Sequence, residues 1–312
     1  MEIKTTGNIP GNNLRIAGGL KELTLWAILL WLILLILLPS PIRAHSAPEE
    51  RIEHLSARIT TEPANAELYL ERAALYRSHR HWRAAQTDYE RCRRLDPQLT
   101  RVDLGLGRLW LETGRLTQSV TALERYLETT ADDATAWALL GRAHRESNEP
   151  EKASIAFDRA IDFSIRAGKN PPPEWYLARA RSLLGSGPDY REKALHGLEQ
   201  GLAVLGEPVT LHLEALQLER DLGRIEAALS RLDHLQRSAN IDVTWLVLRA
   251  EILEGAGRPD DARIALERAR FALATVPAGR RQTSAYRELE REIHDRLQRL
   301  EPAASRVGST GD

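Results

Sequence analysis

The chain has 312 residues, 43% of them apolar and 28% charged, with a formal net charge of −1. That balance is ordinary for a globular protein and excludes a global electrostatic pull toward nucleic acid or an anionic membrane surface. One cysteine, Cys92, excludes an internal disulfide, so packing alone must hold the fold.

The first predicted element is apolar. Leu23 to Leu38 reads LTLWAILLWLILLILL, broken only by Thr24, and twelve of its side chains are Leu or Ile. At the membrane-insertion scale those twelve favour transfer by about 4 to 7 kcal/mol. Two readings stand. One is a signal peptide, with Pro39 and Pro41 ending the helix and small residues following at Ala44, Ser46 and Ala47. The other is an uncleaved single-span anchor, which would bring the chain to a membrane. Lys4, Arg15 and Lys21 precede the run, while Glu49 and Glu50 offset Arg43 and Arg51 behind it. That asymmetry favours an N-terminus in the cytoplasm and the bulk of the chain outside. The expected location is therefore exported, either periplasmic or anchored to the inner membrane.

Beyond it the chain repeats. Ala85, Ser119, Ala153, Ala194, Ala228 and Ala262 follow one another at intervals of 34, 34, 41, 34 and 34. Tyr89, Leu123, Phe157, Leu198, Leu232 and Leu266 lie four residues later, and Cys92, Tyr126, Ala160, Gly201, Leu235 and Ala269 three beyond those. Spacing of i, i+4, i+7 is one stripe of an α-helix. Upstream in each unit a small residue (Ala73, Gly107, Gly141, Ala180, Ala215, Ala250) precedes a large one by three (Tyr76, Trp110, His144, Leu183, Leu218, Leu253). Between the two stripes stand Gly114, Asn148, Gly187, Gly223 and Gly257, residues that accept the left-handed conformation at a helix end. Each unit reads as helix, tight turn, helix.

The interval of 41 marks inserted chain at Ala167 to Pro173, with three consecutive prolines, and again near Ser186 to Tyr190. Three prolines cannot continue a helix, so a hinge or kink dividing the array is expected there. Glu49 to Thr60 reads as a lone second helix ahead of the first unit. Thr283 to Leu300 reads as a charged helix with one apolar stripe, Tyr286, Leu289, Ile293 and Leu297, suited to cap the last unit. The tail from Pro302, rich in Ser and Gly, reads as disordered.

The pattern resembles the tetratricopeptide repeat family, which uses a 34-residue unit with this order of large and small residues. Tyr69, Ala73, Tyr76, Ala85, Tyr89 and Pro97 carry the likeness in the first unit. Gly107, Trp110 and Gly114 carry it in the second, and Trp137, Gly141, Ala153, Phe157 and Ala160 in the third. Units four to six match more loosely, with Leu in place of several aromatics. The resemblance covers about residues 50 to 275. It implies an all-α, right-handed solenoid of about six helix-turn-helix repeats with capping helices; the run Leu23 to Leu38 places one N-terminal hydrophobic helix before it. The expected organisation is 1–47 signal peptide or anchor, 48–65 capping half-repeat, 66–168 repeats one to three, 169–275 repeats four to six, 276–301 C-terminal cap and 302–312 tail.

No catalytic signature is present: no GxSxG, HExxH or P-loop, and no zinc-type Cys/His spacing. No catalytic residue, metal or cofactor is expected. His79 and His81 flank Arg80 in the first turn without a visible third ligand. His144 replaces an aromatic in its column and reads as packing. Cys92 stands in a column of buried positions and reads as core, not nucleophile.

The family resemblance implies that the fifth, ninth and twelfth positions of the first helices line a concave groove. Here those positions include Leu70, Arg77, Leu104, Arg108, Leu111, Arg142, Arg145, Leu177 and Arg181. Leucines would bury an apolar side chain while guanidinium groups bind carboxylates bidentately, so an acidic-apolar peptide suits the surface. The competing reading is that these arginines keep the helix face soluble. The lysine and asparagine of the family's chaperone-tail clamp are missing from the fifth and ninth positions. The expected function is a non-catalytic interaction scaffold that binds a protein or peptide, with no nucleic acid. Its alternatives are a periplasmic chaperone or assembly factor for an envelope or cytochrome-type complex, and a regulatory subunit of an enzyme.

Overall fold

A computed structural model describes residues 47–238, 243–277, 279 and 283–301. The expected signal peptide or anchor, with its run Leu23 to Leu38, and the tail from Pro302 lie outside the described residues. The chain divides into two units, 1–57 and 58–312. Among the described residues there are fourteen α-helices and no strand. No helix among them is long and apolar enough to cross a membrane.

Helix α1, Ala47–Thr61, extends the expected second helix by two residues at its start and one at its end. It begins in the first unit, where Ser56 Oγ donates to the carbonyl of Ile52 at 2.7 Å. In the second unit the helices form six hairpins. They are α2 Ala66–Ser78 with α3 Trp82–Leu95, α4 Arg101–Glu112 with α5 Leu116–Thr129, and α6 Ala134–Glu146 with α7 Pro150–Arg166. Then come α8 Pro173–Gly185 with α9 Arg191–Leu205, α10 Val209–Asp221 with α11 Ile225–Ser238, and α12 Val243–Gly255 with α13 Pro259–Thr275. Helix α14, Ser284–Arg299, follows.

The repeating columns are the core. Ala85, Ser119, Ala153, Ala194, Ala228 and Ala262 are all 0% exposed, because a small residue there lets the two helices of a hairpin close on each other. Ser119 replaces alanine at no polar cost: its hydroxyl donates to the Gly107 carbonyl at 2.8 Å. Gly107 itself is required by contact, since a Cβ would stand 2.7 Å from Leu123 Cγ.

Five of the six inter-helix turns share one geometry. Arg80, Gly114, Asn148, Gly223 and Gly257 all have φ between 59° and 74°. The next N–H bonds back five residues: His81 to Tyr76, Arg115 to Trp110, Glu149 to His144, Arg224 to Glu219 and Arg258 to Leu253, at 2.7–2.9 Å. That is the Schellman closure of a helix end. The expectation for Gly187 is corrected. Its φ of 133° is positive and favours glycine, but with ψ of 170° it is not the helix-ending left-handed turn of the others, and it leads into a 3-10 turn, Pro188–Tyr190, which absorbs the inserted residues.

The proline loop does not divide the array. Helix α7 runs 17 residues and closes on Gly168 at φ 69°, and Pro173 opens α8 at its first turn, where a missing N–H costs nothing. One cluster (Ala138, Phe157, Ala160 and Ala178) joins α6, α7 and α8 across the loop, flanked by Trp137 and Trp175. At the far end the predicted stripe packs: Ile293 is buried, and Tyr286, Leu289 and Leu297 lie against the cluster of α12 and α13.

Candidate functional site

First helices of successive hairpins touch one another in the series α2, α4, α6, α8 and α10, so their shared face is the candidate groove. Two of the four leucines expected to floor it are withdrawn from it. Leu70 is 9% and Leu111 3% exposed, both serving the core. Leu104 and Leu177 are partly buried against separate clusters and keep some surface.

The arginines differ in whom they meet. Arg77 on α2 pairs with Glu112 on α4 at 2.5 Å. Arg181 on α8 makes a two-point pair with Glu214 on α10, at 2.9 and 3.1 Å. Arg142 pairs within its own helix, with Glu146 at 2.7 Å. The anions were missed by sequence reasoning. Their signal was there: Glu112 and Glu214 lie 35 and 33 residues from their partners, one repeat away. Arg108 and Arg145 make no ion pair among the described residues. Arg108 is half-buried on α4 and Arg145 is exposed on α6.

Tyr89 ties two of these arginines together. Gly105 admits its ring, for a Cβ there would lie 2.5 Å from Tyr89 Cε1. Burial raises the Tyr89 pKa above the ordinary phenol value, while the charges of Arg77 and Arg108 pull it the other way. Both guanidinium groups therefore lie near enough to this phenol for their charges to act on it.

The remaining candidates sort as follows. His144 is buried and its Nδ1 lies 2.6 Å from Glu149 Oε2, a satisfied packing residue. Lys152 and then His144 hold the Glu149 carboxyl below its ordinary range. His79 and His81 are exposed, and His81 leans on the Tyr76 ring at 6.0 Å. Cys92 is fully buried, and burial pushes its thiol up to about 11.

Sequence comparison agrees with this architecture. Tetratricopeptide repeat profiles match residues 77–143 in one case and 116–171 and 213–277 in another. No curated protein matches the chain. Among solved structures, YrrB, described as a TPR protein with an unusual peptide-binding site, shares 17% identity. That match covers 60% of this chain and 92% of YrrB at a TM-score of 0.50. PilF of Pseudomonas aeruginosa shares 13% identity over 74% of this chain and 98% of its own, at 0.47. MamA of Desulfovibrio magneticus RS-1 shares 18% over 51% and 86%, at 0.46. Identities this low speak for the fold alone. The repeat columns, the shared turn geometry and the matched profiles together make this chain a member of the tetratricopeptide repeat family.

Proposed function

We propose that the chain is a non-catalytic scaffold that holds a partner protein through an extended acidic-apolar peptide, outside the cytoplasm. The carrying observation is the pair Arg108 and Arg145, on neighbouring first helices of one face, with no anionic partner among the described residues. Arg77, Arg142 and Arg181 are already neutralised, which narrows the recognition to the second and third hairpins. Leu104 supplies adjacent apolar surface. The fold shared with YrrB is one on which that protein carries a peptide-binding site. Export rests on the charge asymmetry around Leu23 to Leu38 and is a reading of sequence alone. The domain limits set out from the sequence are carried forward with it.

The test is binding of labelled extended peptides to the full chain, read by fluorescence anisotropy. Acidic-apolar peptides should bind, and Arg108→Glu with Arg145→Glu should weaken them by about tenfold or more, since one charge-assisted bond is worth roughly 1.5–3 kcal/mol. Unchanged affinity in that double variant removes the groove from the reading. An N-terminal determination on protein from cells, together with fractionation, tests the location.

A further inference from the structure

Hairpin five carries a cluster that the groove does not use. Glu207 sits in the link between α9 and α10, just ahead of Pro208. His212 lies one turn into α10 and His234 near the end of α11. One nitrogen from each ring and one Glu207 oxygen all lie within 4.8 Å of one another. His234 Nε2 stands 2.6 Å from Glu207 Oε2, and the two imidazoles are 5.4 Å apart between centroids. His212 is 7% exposed, and its Nε2 is buried with no hydrogen-bond partner. A buried imidazole nitrogen left unpaired costs free energy, and this one has a second imidazole and a carboxylate beside it.

We propose that Glu207, His212 and His234 form a site for a divalent zinc-class cation, joining the α9–α10 link to α11. Two imidazoles and one carboxylate are a zinc donor set that leaves a fourth position open. In a tetrahedral site with bonds near 2.1 Å, donor atoms stand about 3.4 Å apart. The ion therefore replaces the short contact between His234 and Glu207, and the three donor atoms, now within 4.8 Å of one another, close round it. Coordination through Nε2 puts the ring proton on Nδ1. It thereby displaces the long 3.4 Å contact from Arg231, whose two bonds to Glu219 at 2.6 and 2.9 Å remain. Glu207 and His234 are partly exposed, so solvent or a ligand atom from a partner can complete the shell. This inference does not rest on the groove reading: although His212 shares α10 with the groove face, none of the three residues is among those that reading uses.

Calorimetry of metal-stripped full-length chain with zinc chloride tests it, alongside the visible ligand-field bands of cobalt(II). One equivalent should bind, the thermal midpoint should rise, and cobalt should give intense tetrahedral bands. Glu207→Gln and His234→Asn, both at partly exposed positions, should each weaken binding by roughly tenfold to a hundredfold or more with helix content unchanged. His212→Gln should abolish the cobalt bands. No binding by wild-type chain overturns the proposal. So does binding that survives Glu207→Gln with His234→Asn, which would place the ion on other histidines such as His79 and His81.

Discussion

At the scale of single residues, the first turn is the informative exception. Arg80 takes the left-handed conformation that glycine occupies in three of the other turns of this kind and asparagine in one. A Cβ in that region costs about 1–2 kcal/mol. Arg80→Gly should therefore stabilise the chain by about 1 kcal/mol, less what glycine adds to the entropy of the unfolded state, and raise the thermal midpoint. Cys92 gives a second check. Its thiol is raised from 9.0 to about 11 by burial, so it should resist alkylation in the folded chain and react at once in denaturant. The linked stability is present below the unfolded value near 9 and declines as pH rises toward 11, because the unfolded thiol ionises first. Alkaline unfolding of wild type against Cys92→Ala reads that slope. The alanine and aromatic columns were legible because burial enforces residue size at every repeat. The Arg80 turn was not, since arginine gives no turn signal and only its neighbours' closure fixes it. Gly187 misled for the opposite reason: the glycine was there and takes a positive φ, but the insertion after it carries the chain into a 3-10 turn instead of the helix-ending closure.

Between elements, the polar joints carry as much specificity as the apolar ones. Arg72 on α2 bonds Asp88 on α3 twice, at 2.7 and 2.8 Å, and Asp88 is 5% exposed. Removing the cation leaves an uncompensated buried carboxylate, which typically costs about 3–5 kcal/mol. Arg72→Ala should show most of that loss in urea unfolding, whereas Arg72→Ala with Asp88→Ala should recover a large part of it. In the second half, Arg224 meets Glu192 at 2.7 Å and Arg258 meets Glu226 at 2.6 Å, both partners displaced by 34 residues. Such pairs could not be read from a motif, because each links two repeats and neither residue is unusual in its own helix. The histidines of hairpin five escaped for the same reason. His212 and His234 stand 22 residues apart on two helices, outside any metal-ligand spacing, and meet only when the hairpin closes.

For the molecule as a whole, the described residues from 58 onward make an array in which each hairpin's apolar face is closed by the next. The last one is closed by α14. Ile293 is 1% exposed in that closure, so Ile293→Ala should lower stability by about 2–4 kcal/mol. Hydrogen exchange should locate that loss first in α13 and α14, since arrays of this kind fail from their ends. The same six alanine-column joints have a consequence for how such a chain changes over time. Ala85 and Ser119 hold equivalent places, so excising the 34 residues between those two positions would keep the helical frame of the joint, while setting Ala73 where Gly107 now admits Leu123 and taking Asp88 from Arg72. Length is thus a free variable here, adjustable in whole hairpins. Inheritance can tune the reach of this chain by copying or dropping units, provided the side chains at each new joint are matched again.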